Sequence, residues 1–273
     1  MVSEDTAAAS STEIVSVING AGKGRFVIVC DHASNRLLPE YGTLGLAAEQ
    51  FERHIAWDPG ALPVARHLSE MLDAPLVAGG LSRLNIDCNR PIDAPDLIPE
   101  ISETTVIPGN AGLDAAARQA RVELAHVPFH RAVETIVSER IDQGLETCLV
   151  SVHSFTPVYK GTARPWHIGI LHDEDERLSR PMIAELSATA DIVVGDNEPY
   201  TPADRVYYTL ERHARSRGLP CVMIEIRNDQ IRDPKSQRVW GERIAKILSG
   251  IQEPDLKLGM EMASNAKGSR RSA

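Results

Sequence analysis

Short apolar runs alternate along this chain with longer stretches in which apolar positions recur every three or four residues. Phe26 to Cys30, Cys148 to Val152, His167 to Leu171 and Cys221 to Ile226 read as strands, with a shorter one from Pro75 to Ala78 before the Gly79-Gly80 turn. Their near-continuous apolar character suits strands buried on both faces. Ile192 to Val194 reads as another strand, running into Gly195-Asp196-Asn197. Helical spacing covers Ala47 to Ile55, Ala61 to Leu72, Asp114 to Gln143, Glu176 to Ala190, Val206 to Arg217 and Gln237 to Leu248. Pro59-Gly60 separates the first two, Pro128 predicts a kink in the third, and Gly218 stops the fifth. The alternation predicts one mixed, mainly parallel sheet with helices on both faces. Residues 1 to about 20 read as a loose lead-in, 21–252 as a single domain, and 253–273 as a disordered polar tail.

The polar residues that end the strands carry the chemistry. The first run leads into Asp31-His32-Ala33-Ser34-Asn35, and the run from Cys148 leads into His153-Ser154. In open α/β sheets ligands bind beyond the carboxyl ends of the strands. Two histidines delivered there from distant parts of the chain suggest a metal site, although either could be a buried, hydrogen-bonded histidine. The run from Cys221 brings Glu225 to the same kind of position, as a general base or as a salt-bridge partner of Arg227. Arg83, Asn85, Asp87, Asn89 and Arg90 crowd one strand-to-loop passage, which suits a small dicarboxylate or, more plainly, a solvated loop. His54 and Asp58 are four apart and can share a helix face, while Asp58 before Pro59 also suits a helix N-cap. His67, His126 and His130 read as surface or packing residues, and His213 as an outside candidate for the pocket.

Composition narrows the partners. A net charge of −9 over 273 residues argues against nucleic acid, which needs clustered Lys and Arg. An anionic small molecule stays open, because a few pocket arginines outweigh the global field locally. The four cysteines, Cys30, Cys88, Cys148 and Cys221, form no CxxC pair and read as reduced, buried thiols. No apolar stretch is long enough to span a membrane, and the first residues lack the character of a signal peptide. Cytoplasm is the expected compartment, and a homo-oligomer is an open possibility.

Taken together, Asp31-His32-Ala33-Ser34, Asp58-Pro59-Gly60-Ala61, Ser82-Arg83 with Asp87-Cys88-Asn89-Arg90, Val152-His153-Ser154-Phe155-Thr156-Pro157, Gly195 to Tyr200 and Glu225-Ile226-Arg227-Asn228-Asp229 resemble the N-formylglutamate amidohydrolase family over about residues 25 to 250. The resemblance implies a three-layer α/β/α sandwich around a mixed, mainly parallel sheet, phosphorylase/hydrolase-like and similar to the zinc exopeptidases. It implies hydrolysis of N-formyl-L-glutamate, late in one route of histidine degradation, with a divalent metal, zinc foremost. His32, Asp58 and His153 are the metal ligands so implied, with Asp58 preferred over Asp31 as the acidic one. Glu225 is then catalytic, and Arg83, Asn89, Arg90, Asn197, Tyr200 and Arg227 bind substrate. The chain departs from the family in having His32-Ala33-Ser34 where His-Ser-Gly is usual, and Asn35 where the carboxypeptidase-like relatives have an acid. A substrate other than formylglutamate is therefore compatible with the pattern. The rivals are a zinc carboxypeptidase or cell-wall amidase acting on a peptide, and a non-catalytic binding protein for an acidic metabolite.

Overall fold

The computed structural model describes residues 13–252. The tail from residue 253 and the start of the lead-in, residues 1–12, lie outside the described residues. In chain order the strands are β1 (Val15–Ile18), β2 (Phe26–Cys30), β3 (Leu76–Gly79), β4 (Ile101–Ser102), β5 (Thr105–Val106), β6 (Cys148–Phe155), β7 (Val158–Tyr159), β8 (Thr162–Ala163), β9 (Ile168–Leu171), β10 (Val194–Asp196) and β11 (Cys221–Arg227). The α-helices are α1 (Ala61–Met71), α2 (Ala115–Arg121), α3 (Val127–Asp142), α4 (Ser179–Ser187), α5 (Tyr208–His213) and α6 (Pro234–Gly250).

One seven-stranded sheet runs in the order β1-β3-β2-β6-β11-β9-β10. The neighbours β3-β2-β6-β11 are parallel, while β1 pairs antiparallel to β3, and β9 antiparallel to β11. The sheet is thus mixed and mainly parallel, as expected. Strand β1 is a correction, since it falls inside the segment read as a lead-in. Its residues Val15-Ser16-Val17-Ile18 gain their ladder from β3, a pairing that local composition does not announce. Between β4 and β5, and between β7 and β8, short hairpins stand outside the sheet.

Helices cover both faces. Phe26, Ile28 and Cys30 of β2 pack with Val64 and Leu68 of α1, Met182 of α4 and Trp240 and Ile244 of α6. Val27 and Val29 point the other way, toward Phe129 and Val133 of α3 and Leu210 of α5. This two-sided burial explains why the strand lacks polar alternation. Deleting such a side chain, Leu68 for example, typically costs about 2–5 kcal/mol. The long helical stretch after Asp114 is interrupted by a π-turn at Val122–His126, immediately before Pro128. The helix expected over Ala47 to Ile55 is only a 3-10 segment, Ala48–Glu52. Among the described residues no helix is long and apolar enough to cross a membrane.

Candidate active site

The parallel pair β6 and β11 puts His153 and Glu225 in register, side by side on one face. His153 lies inside β6, which continues to Phe155, so it is a strand residue and not a loop residue. His32 follows β2, the neighbour of β6 on its other side, at the same edge. Asp58 arrives on the turn before α1. That helix is capped by Gly60, at φ 83°, where a Cβ would come within 2.4 Å of the Ile231 carbonyl oxygen. Only glycine fits such a position. The Asp58 side chain makes no cap bond to α1 and turns into the protein instead.

Three acceptor atoms converge there. His153 Nδ1 is 2.8 Å and His32 Nδ1 3.4 Å from Asp58 Oδ2. The far nitrogen of each ring faces a second carboxylate, His32 Nε2 meeting Asp87 Oδ1 at 2.7 Å and His153 Nε2 meeting Asp31 Oδ2 at 3.3 Å and Ser151 Oγ at 2.9 Å. Asp87 assigns the N–H of His32 to Nε2, leaving its Nδ1 with a lone pair toward Asp58, while His153 Nδ1 is within hydrogen-bond distance of Asp58 Oδ2. Burial, reinforced by the Arg83 charge, lowers the pKa of His32 to about 4, so its ring is neutral at pH 7. Burial opposes ionisation of Asp31, but hydrogen bonds from His153 and Thr209 hold its carboxyl down at about 2. Two imidazole nitrogens and a carboxylate oxygen converging at this spacing fit a cation, and Nδ1 of His32 makes no hydrogen bond. The ligand atoms of His32, Asp58 and His153 all lie within 4.8 Å of one another.

Glu225 is 5% exposed and its Oε2 has no hydrogen-bond partner. Burial raises its pKa against the nearby His153 and Arg83 charges. The expected alternative, a pair with Arg227, is not formed; Arg227 Nε donates to Asp229 at 2.8 Å, and Nη1 to the Arg164 and Pro165 carbonyls. Arg83 pairs with Asp58 Oδ1, and its buried Nε has no hydrogen-bond partner. These residues line a cavity of about 180 Å³, together with Asn89, Arg90, Tyr200, Glu103 and Tyr159.

Not every expected binder faces it with free atoms. The Asn89 amide donates to the Val206 carbonyl and accepts from Thr209 N, so it anchors the segment before α5. Arg90 holds Asp96 and the carbonyls of Asn89 and Arg205. Asn197 is placed elsewhere, accepting from His172 N at 2.9 Å. The reason is direction: β9 runs antiparallel to β11, so the end of β10 beside it points away from the His153 edge. Tyr200 is on the returning chain and does reach the cavity.

Asp31, the alternative acidic ligand, and Asp87, singled out only as part of the polar passage from Arg83 to Arg90, stand behind the two histidines instead. His126 and His130 take the packing alternative, buried and hydrogen-bonded to the carbonyls of Arg90 and Cys88. His213 bonds His130 at 2.9 Å rather than lining the cavity. All four cysteines are free and buried, as expected, and burial pushes their thiol pKa values up.

The profile of the N-formylglutamate amidohydrolase family matches residues 24–232. The chain belongs to the N-formylglutamate amidohydrolase family. Its members are hydrolases acting on carbon–nitrogen bonds. Among solved structures, a gene product of Agrobacterium tumefaciens is 47% identical, with a TM-score of 0.85, over 89% of this chain and 98% of that one. An N-formylglutamate amidohydrolase from Ralstonia eutropha shares the fold at 16% identity, with a TM-score of 0.59, over 92% of this chain and 98% of that one. No curated protein matches.

Proposed function

We propose that this family member is a metal-dependent amidohydrolase that removes the N-acyl group, formyl foremost, from a small acidic amino acid such as N-formyl-L-glutamate. The observation that carries the reading is the convergence of His32 Nδ1, His153 Nδ1 and Asp58 Oδ2 beside an unpartnered glutamate oxygen. His32, Asp58 and His153 would hold a divalent cation, zinc by the chemistry of the donor set. When bound, such a cation lowers the pKa of water and polarises a carbonyl.

The remaining work falls to side chains. Glu225 takes a proton from the attacking water on Oε2 and hands it to the leaving amine nitrogen, so that amide and water become carboxylate and amine. Its raised pKa brings it closer to the working pH, where a general base is most effective. Asp31 and Asp87 hold the imidazoles in the tautomer that presents Nδ1. Arg83 and Arg90 supply the positive charge that draws substrate carboxylates into a protein of net charge −9. Asn89 and Arg227 act as struts for the chain around the cavity, and Tyr200 faces the substrate.

A cavity of about 180 Å³ favours a small N-acyl amino acid over a peptide. The thiols, none of them paired, suit a reducing compartment such as the cytoplasm, and N-formylglutamate as substrate would place the reaction in histidine degradation. The test is metal analysis of freshly purified protein, paired with a turnover screen of N-formyl, N-acetyl and N-succinyl amino acids. Metal-dependent turnover is expected. Bound metal and tight ligand binding without turnover would favour a binding protein, and cleavage of peptides alone would favour a carboxypeptidase or amidase.

A further inference from the structure

Arg164 follows strand β8 and is buried, only 8% exposed as a residue. It lies over three rings, at 4.6 Å from the centroid of Tyr159, 4.7 Å from Tyr200 and 5.6 Å from Phe155. Its backbone is held at both ends, the N–H donating to the Pro157 carbonyl at 2.9 Å and the carbonyl accepting from Arg227 Nη1 at 3.0 Å. Asp229 fixes Arg227 in turn. The result is a cation braced from behind and stacked in front, far more constrained than a surface arginine.

Its Nη1 donates to Tyr200 Oη at 3.0 Å. A guanidinium has donors only, so Tyr200 must be the acceptor in this bond. The phenolic hydrogen then has to point elsewhere, and no hydrogen bond from it is formed among the described residues. Tyr200 lines the same cavity as Glu225, Arg83 and the His32–Asp58–His153 group. A neighbouring cation that takes up the oxygen lone pair also polarises the O–H and strengthens it as a donor.

We propose that Tyr200 donates a hydrogen bond to the substrate's acyl oxygen as that oxygen gains negative charge, and that Arg164 is the residue that positions it. This rests on the amidohydrolase reading. The choice of the acyl oxygen follows from charge: Arg83 and Arg90 already match groups that are anionic in the ground state. A neutral phenol matches an oxygen that becomes anionic only during the reaction. No proton changes hands, and the phenol keeps its hydrogen throughout. Burial and the Glu225 charge both raise the phenol's pKa, which keeps it protonated at neutral pH.

The test is a double-mutant cycle on the metal-replete enzyme. Tyr200→Phe removes only the O–H and should lower kcat about 10²–10³-fold, as loss of an oxyanion donor does, with KM nearly unchanged. Arg164→Met keeps an apolar stem over the rings and should lower kcat in the same sense but less. In the Tyr200→Phe background Arg164→Met should have no further effect, because nothing is left to position. Melting temperature and metal content show that each variant is folded and loaded, and Arg164→Lys replaces Arg164→Met if the latter does not fold. Additive losses would overturn the positioning role. A raised KM with wild-type kcat in Tyr200→Phe would overturn the acyl-oxygen role, as would wild-type kinetics. A wild-type enzyme inactive on every N-acyl amino acid would overturn the amidohydrolase reading, and this inference with it.

Discussion

Asp87 grips His32 from behind, its Oδ1 2.7 Å from Nε2, so that the ring's other nitrogen faces Asp58. This one bond fixes both the tautomer and the orientation of a proposed metal ligand. Asp87→Asn removes the charge but keeps an acceptor, and Asp87→Ala removes both. Loss of such an outer partner typically weakens metal binding about 10–100-fold. Competition against a chelator should show the larger loss in Asp87→Ala. Unchanged affinity in both would mean that the bond serves folding alone.

The ligands themselves should behave differently. His32→Ala and His153→Ala are expected to abolish metal retention by elemental analysis while the protein still folds, and Asp58→Ala to weaken it strongly. Asp31 faces the far nitrogen of His153, so Asp31→Ala should have the milder effect of an outer partner. Full occupancy in either histidine variant would remove the metal from the site. A larger loss in Asp31→Ala than in Asp58→Ala would exchange their roles.

Glu225→Gln should keep metal and substrate affinity and lose turnover about 10²–10⁴-fold, because the amide keeps the shape and cannot accept the proton. Steady-state kinetics with a binding measurement checks it. A wild-type rate would make the residue structural, although its unpartnered Oε2 already tells against a role as a salt bridge.

Much of this site was legible in the sequence because strand ends announce themselves. His32, His153 and Glu225 each belong to a near-continuous apolar run, and three adjacent parallel strands, β2, β6 and β11, deliver them to one edge. The reversal of β9 could not be read, because no local signal records the direction in which a strand enters a sheet. Asn197 was therefore expected at the wrong end. Arg227 was misjudged for a related reason: its partners are carbonyls of Arg164 and Pro165, more than sixty residues away in sequence. Arg164 itself sits in a stretch with no periodicity to single it out.

The buried histidines behind the site predict how stability responds to acid. His130, packed against His213, has its pKa lowered by burial to about 2, and His213 to about 4. Unfolded histidine titrates near 6.5, so below that pH the unfolded chain binds more protons than the folded one. Their contribution is complete above about pH 6.5 and falls steadily as pH drops toward 4. Asp31, also depressed, acts below its ordinary 3.8 and adds little in this window. Denaturant unfolding of metal-free protein should show a shallower loss in His130→Gln, by up to about 1.4 kcal/mol per pH unit for one proton. An unchanged slope would mean that His130 is not held neutral.

Arg90 tests how the substrate's charge is read. Its Nε is engaged by Asp96 and its Nη1 by carbonyls of Asn89 and Arg205, so it enters the cavity wall as a fixed charge. A protein of net charge −9 repels a dianion at long range, and capture must depend on guanidinium groups placed locally. Arg90→Ala should therefore harm acidic substrates most, by roughly 1.5–3 kcal/mol, about 10- to 150-fold in affinity. Raised salt should weaken wild-type binding of acidic substrates more than of neutral ones, since screening acts on the charge. Specificity constants for N-formylglutamate and N-formylmethionine in wild type and Arg90→Ala decide the matter. An equal fall for both would assign Arg90 to the α-carboxylate that the two substrates share. No fall for either would leave Arg83, with its buried and unpartnered Nε, as the cation that reads the acid.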